Sequence, residues 1–327
     1  MISMSGLPCA LPFALLLLQG APAAPESRPA SAPSGGGVVA VGGGKMPDRI
    51  YRRMLDLTGK AHPKVLILPL ATSEPEKSGP AVDLRFRENG AQDVEWKFFT
   101  RKDAPNAEVL EAIGKCDVLF FPGGDQKKIL EVLRGTPAQS AVSEVLRRGG
   151  VVGGTSAGCE VLGDLSLTGS GGTRTDLAVQ GATEVEPGLS LIPGVVFDQH
   201  FLKRSRFLRL LGATLDSGRH VGIGVDESTA VVLPHGTRQI EVIGERQVTV
   251  VRLDDASSRA PAEPGDLARA AGVRLHLLTE GDRYDLDLDR VHFAPKAVRA
   301  PARSEERAAE GESGSASAPA PRTRAQR

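Results

Sequence analysis

Short apolar runs alternate with amphipathic stretches through the first half of the chain. Val38–Val41, Val65–Leu70, Val94–Phe99, Asp117–Phe121 and Val151–Val152 have the length and residue types of strands. Between them, Pro47-Asp48 opens an amphipathic stretch through Gly59. Ala104–Cys116, Asp125–Arg134 and Ser140–Arg148 also read as helices, the first with Val109, Leu110 and Ile113 at helical spacing. Strands apolar on both faces, alternating with helices, predict an α/β fold: a three-layer, mostly parallel sheet with helices on both faces. After Gly222 the pattern changes to short β-type runs separated by turns (223–225, 230–233, 240–243, 248–251, 273–278). These predict hairpins and a C-terminal antiparallel β extension.

The ends differ from this core. Leu11–Gln19 is an apolar run followed by small residues, with an A-x-A pattern at Ala21-Pro22-Ala23, although MISMSG before it carries no Lys or Arg. Residues 1–23 are therefore expected to be a cleaved signal peptide, too short to anchor in a bilayer, and the mature chain to be secreted or periplasmic. A Pro/Ser/Gly linker follows over 24–37, then one domain over 38–292. The composition of 293–327 is that of a disordered tail.

Charge excludes some partners. Lys+Arg and Asp+Glu both number 40, so no overall field favours nucleic acid, and no segment after the leader is apolar enough for a membrane. With Cys9 lost in the leader, only Cys116 and Cys159 remain, and no Cys/His cluster has metal-site spacing. No metal or cofactor is expected.

Four segments carry candidate chemistry, each at the end of an apolar run. Gly154-Thr155-Ser156-Ala157-Gly158 satisfies G-x-S-x-G between a strand and a helix-compatible stretch. In such an elbow the strained turn exposes the serine oxygen, and the helix start offers N–H groups to a developing oxyanion. A glycine-rich turn whose serine merely caps the helix is the alternative. Asp198-Gln199-His200-Phe201 places a histidine where a general base belongs. Gly222–Thr229 ends an apolar strand in Asp226 and Glu227, either of which suits the role of orienting the imidazole. Phe121–Gln126 brings backbone N–H groups of a glycine turn to the same edge. Gly42-Gly43-Gly44 lacks the spacing of a dinucleotide site and reads as a tight turn. The order nucleophile, base, acid differs from the α/β-hydrolase order. An esterase would need His235, His276 or His292 as base, none beside a glycine-rich oxyanion loop.

These residues resemble the cyanophycinase family of serine peptidases, which has a class I glutamine amidotransferase-like fold. The resemblance runs from about Val38 to Leu286, through PGGDQ (122–126), GTSAG (154–158), LIPGVVFDQHF with RSRFLRL (191–210), GIGVDESTA (222–230) and GDRYDL (281–286). It implies a triad of Ser156, His200 and Glu227, favouring Glu227 over Asp226, and oxyanion donors at the backbone of Gly124 and Ala157. It implies that Gln126, Asp198, Gln199, Arg206 and Arg209 line the substrate. That substrate is a peptide or the polymer cyanophycin, a poly-aspartate bearing arginine on each β-carboxyl, cut to β-Asp-Arg dipeptides. It also implies a homodimer. Cys159 and Glu160 depart from the small residues usual after SAG, and the turn GGGKMPDR lacks the family's acidic pattern. An aspartyl or isoaspartyl dipeptidase of the same fold and an inactive secreted binding protein are the alternatives.

Overall fold

The structure, a computed structural model, describes residues 35–168, 177–253, 258–259 and 263–295. The expected signal peptide, nearly all of the linker, and the tail from residue 296 lie outside the described residues.

The first half alternates as the pattern implies. Strand β1 (Gly37–Val41) leads to α1 (Asp48–Leu57), β2 (Lys64–Ile67), α2 (Pro75–Glu88) and β3 (Asp93–Trp96). Helix α3 (Ala107–Lys115), β4 (Val118–Phe121), α4 (Gln126–Leu133), α5 (Pro137–Arg147), β5 (Val151–Thr155) and the one-turn α6 (Ala157–Glu160) follow. Helix α1 buries Ile50, Tyr51, Met54, Leu55 and Leu57 along one side, the stripe expected of a helix laid on a sheet. Helix α2 was not legible in the sequence. Pro75 begins it, but Pro80 sits inside it and only Gly79 and Phe86 are buried, so neither the apolar stripe nor helix propensity marks it.

The second half departs from a single sheet with an extension. Strands β6 (Gly163–Leu167), β7 (Val185–Pro187) and β8 (Ile192–Gln199) precede α7 (Phe207–Ser217), which ends at left-handed Gly218. Strands β9 (Val221–Val225), β10 (Thr229–Pro234), β11 (Gln239–Gly244) and β12 (Val248–Arg252) come next. The chain ends with β13 (Ser258–Arg259), β14 (Ala270–Ala271), β15 (Arg274–Leu278), β16 (Arg283–Asp285) and β17 (Arg290–His292). Nine strands form one sheet in the order β17-β16-β11-β10-β1-β5-β4-β2-β3, in which the run from β1 to β3 is parallel. Six form a second sheet, β15-β12-β9-β8-β6-β7, with β6, β8 and β9 parallel. Consecutive strands β9 and β10 therefore belong to different sheets, as do β11 and β12. Of the expected runs, neighbouring β10 and β11 pair as a hairpin in the nine-stranded sheet, and β16–β17 adds a hairpin beyond those runs.

Two cores explain the two-sided strands. Val39, Val41, Val65, Ile67, Val118 and Phe120 meet Ile50, Met54 and Phe86 of α1 and α2. On the other face, Val38, Ala40, Leu66, Leu119 and Phe121 join residues of α3, α4 and α5 and the inner face of the second sheet. Helix α7 covers that sheet's outer face through Leu210 and Ala213, with Val196, Phe201 and Val251. Residues alternate between the two faces along β1, as strand geometry requires. Parallel β1, β5, β4, β8 and β9 all end at one edge, where open α/β sheets hold ligands. Among the described residues no helix is long and apolar enough to cross a membrane.

Candidate active site

Ser156 stands between β5 and α6 with φ 53° and ψ −114°, a conformation a non-glycine residue holds only under constraint. The packing that imposes it uses the glycines around it. A Cβ on Gly154 would stand 2.3 Å from Gly158 O, and one on Gly158 2.1 Å from Phe121 O. The serine does not cap its helix. Instead its Oγ lies 3.0 Å from His200 Nε2 and 3.3 Å from Gln199 Oε1. Ser156 thus sits in a constrained strand–helix turn with its oxygen toward His200, and its side chain makes no cap hydrogen bond to the helix.

His200, at the end of β8, also has positive φ (47°). Its Nδ1 is 2.6 Å from Glu227 Oε1. A proton on Nδ1 donates to Glu227 and leaves Nε2 as the acceptor for the serine hydroxyl. Burial holds the imidazole below its usual pKa, against the hydrogen bond it donates to Glu227, which favours its cation, and Arg204 and Arg206 add to the depression. The hydrogen bond to His200 holds the Glu227 carboxyl below its ordinary value. A neutral base beside an ionised carboxylate is the state a serine nucleophile requires.

Asp226 turns the other way. Its Oδ1 accepts from Leu202 N at 2.7 Å, and burial raises its pKa. Of the two adjacent carboxylates, Glu227 alone reaches the imidazole, and Asp226 fixes the backbone just after Phe201.

The Gly123-Gly124 turn lies against the nucleophile. A Cβ on Gly123 would stand 3.1 Å from Ser156 Cβ, and Gly124 has φ +143° with Ala71 O only 2.3 Å from where its Cβ would be. Asp125 N, donating to Ala71 O at 2.8 Å, pins the turn. Ala157 is the first residue of α6, so its N–H has no intrahelical acceptor. Gly123 lies in the glycine turn expected over Phe121–Gln126, and its lack of a side chain lets that turn approach Ser156.

The five residues expected to line the substrate separate. Gln199 reaches the serine, and half-buried Arg206 donates to Gln199 O at 2.7 Å. Gln126 is buried and donates through Nε2 to Leu167 O at 2.5 Å, tying α4 to β6. Asp198 and Arg209 correct the expectation. Asp198 has no exposed surface and Arg209 is 3% exposed. Arg209 Nε donates to Asp198 Oδ2 at 2.8 Å, its Nη2 to Asp198 Oδ1, and the same Nη2 to Glu160 Oε1 at 3.3 Å. A guanidinium so engaged between two buried carboxylates braces α6, β8 and α7 behind the site and presents nothing to a substrate. Glu160, absent from the sequence-based list, completes this cluster. Burial and the Asp198 charge push its pKa up to about 8. Cys116 and Cys159 are buried free thiols; burial raises Cys116 to about 12 and Cys159 well above the ordinary thiol value, which leaves both inert. Among the described residues no group of His, Cys, Asp and Glu is arranged to hold a metal ion.

Cyanophycinase of Geminocystis herdmanii is 32% identical over 243 residues, 72% of this chain and 87% of that protein. The cyanophycinases of Synechococcus elongatus, covering 78% of this chain and 80% of the relative, and of Trichormus variabilis, covering 72% and 80%, are each 31% identical. The crystal structure of a peptidase from an acI-B1 actinobacterium superposes with a TM-score of 0.57 at 22% identity, over 77% of this chain and 97% of that one. The fold is accordingly the class I glutamine amidotransferase-like arrangement. The family model of peptidase family S51 matches residues 38–240, from β1 into β11 and across Ser156, His200 and Glu227; the chain belongs to that family and is a serine-type peptidase.

Proposed function

We propose that this peptidase hydrolyses cyanophycin to β-Asp-Arg dipeptides through an acyl-enzyme, with Ser156 as nucleophile, His200 as general base and Glu227 as its orienting acid. The observation that carries the reading is the continuous relay from Ser156 Oγ through His200 to Glu227, with contacts of 3.0 and 2.6 Å. As Oγ attacks the scissile carbonyl, His200 Nε2 takes its proton, and Glu227 stabilises the imidazolium. The backbone N–H groups of Gly124 and Ala157 receive the oxyanion. The imidazolium protonates the leaving amine, and water, activated by the same base, releases the acyl group.

Electrostatics support an aspartyl substrate. Lys203, Arg204 and Arg246 are exposed, and with Arg206 their charges act on His200 or Glu227. Such a rim attracts carboxylates, and a guanidinium pairs with them in two-point contacts. The cyanophycinase relatives support the polymer itself. The apolar run and A-x-A pattern of residues 1–23 support export, which the mass of the mature N-terminus tests.

The test is incubation of the protein and of Ser156→Ala with cyanophycin and with α- and β-linked aspartyl dipeptides, products being read by mass spectrometry. β-Asp-Arg released from cyanophycin by the unaltered protein alone is the expected result. Cleavage of the dipeptides with cyanophycin untouched would move the substrate to the dipeptidase class.

A further inference from the structure

Three consecutive carbonyls at the end of β1 hold the three segments of the relay. Val41 O accepts from Ser156 N at 3.0 Å, and Gly42 O from His200 N at 2.7 Å. Gly43 O accepts at 2.8 Å from the N–H of Ser228, the residue after Glu227. Residues 151–230 contribute nucleophile, base and acid from two sheets, and this one turn is bonded to all three.

The turn also meets their side chains. Gly43 has φ +100°, and a Cβ there would stand 2.4 Å from His200 Cε1 and 2.5 Å from Nε2. A Cβ on Gly44, with φ +69°, would stand 2.9 Å from Glu227 Cβ, and one on Gly42 2.2 Å from Asp226 O. The bare Cα of Gly43 therefore packs against the same end of the imidazole that faces Ser156. Nothing larger than hydrogen fits between β1 and the ring. An imidazole pushed off that surface moves Nε2 away from Oγ and Nδ1 away from Glu227 together.

We propose that the Val41–Gly44 turn is the positioning element of the triad, and that Gly43 sets the seat of the His200 imidazole. The inference rests on reading Ser156, His200 and Glu227 as the triad. A displacement of about 1 Å in such a relay costs on the order of a hundredfold in rate. Backbone strain is a separate effect, and the fold supplies its control. Gly90, just past α2, has φ +104° with nothing within 4 Å of its would-be Cβ. Alanine at Gly90 imposes a comparable strain without a collision.

The experiment compares Gly43→Ala, Gly90→Ala, Ser156→Ala and the unaltered protein. The readouts are the rate of covalent labelling by a fluorophosphonate, and kcat and KM on cyanophycin. Gly43→Ala is expected to lose about a hundredfold or more in labelling rate and in kcat with KM little changed, while Gly90→Ala keeps both. Melting temperatures of Gly43→Ala, His200→Ala and the double variant add a measure that needs no activity. Removing the ring relieves the collision, so the deficit caused by Gly43→Ala should shrink in the His200→Ala background to that of Gly90→Ala. This holds even where Gly43→Ala alone fails to fold. Equal deficits in both backgrounds, or labelling of Gly43→Ala at the Gly90→Ala rate, would overturn the positioning role. Labelling or turnover surviving in Ser156→Ala would instead overturn the triad on which it rests.

Discussion

Arg209 and Asp198 form a two-point ion pair with almost no access to solvent: Nε donates to Oδ2 at 2.8 Å, and Nη2 closes the second contact to Oδ1. The pair joins α7 to the end of β8, two residues before His200.

Removing the cation strips buried Asp198 of its two-point partner and leaves it only the longer contact from Arg206 Nη1 at 3.4 Å. Arg209→Met is therefore expected to cost about 3–5 kcal/mol of stability, seen as a fall in Tm of roughly 2–4 °C per kcal/mol. Arg209→Lys should not restore it, because an ammonium cannot make the two parallel contacts. If Arg209 contacted substrate instead, these variants would raise KM and leave Tm nearly unchanged.

Glu160 shares Arg209 with Asp198, and its pKa lies near 8 against an ordinary 4.5. A group whose folded pKa is raised favours the folded state most at low pH. That contribution fades as pH rises from the unfolded value through about 8. The Tm of the unaltered protein should thus fall over that window, and Glu160→Gln, which cannot ionise, should flatten the fall. Parallel Tm curves for the two proteins from pH 5 to 9 would show that Glu160 does not titrate there.

The adjacent carboxylates should behave differently. Glu227→Gln removes the partner of His200 Nδ1 and is expected to lower kcat by about 10³–10⁴. Asp226→Asn keeps an oxygen to accept from Leu202 N, so it should hold kcat within a few-fold. Kinetics on both variants check the assignment; a larger loss in Asp226→Asn would reverse it.

Burial lowers the His200 pKa from its ordinary value, which favours the neutral imidazole that a base must be. As pH falls through that lowered pKa the imidazolium can no longer accept the serine proton, and kcat/KM should drop. Arg204 adds to the depression. Arg204→Gln should therefore shift this acid limb to higher pH, by an amount that shrinks with added salt. An unmoved or opposite limb at low salt would exclude this charge as an influence on the base.

The chemistry was more legible than the topology. G-x-S-x-G is a local pattern whose backbone demand falls on adjacent residues, and the segments bearing His200 and Glu227 follow apolar runs that read as strands. Which sheet a Val/Ile run joins is a long-range matter. Val221–Val225 and Thr229–Pro234 look alike in sequence, yet they pair in different sheets. Arg206 and Arg209, three apart, were expected to share a role. Their contacts separate them: Arg209 is engaged by Asp198 and Glu160, while half-buried Arg206 bonds Gln199 O at 2.7 Å and touches Asp198 only at 3.4 Å. Gly42–Gly44 reads as a turn, and it is one. Its contacts with His200 and Glu227 come from residues more than 150 positions away, which no local pattern encodes.

The most direct measurement is the mass of the protein after treatment with a fluorophosphonate, with the modified peptide mapped. The expected result is a single adduct on Ser156, abolished in Ser156→Ala and strongly slowed in His200→Ala. An unmodified Ser156 in the folded, unaltered protein, or an adduct formed just as fast without His200, would contradict a serine activated by this relay.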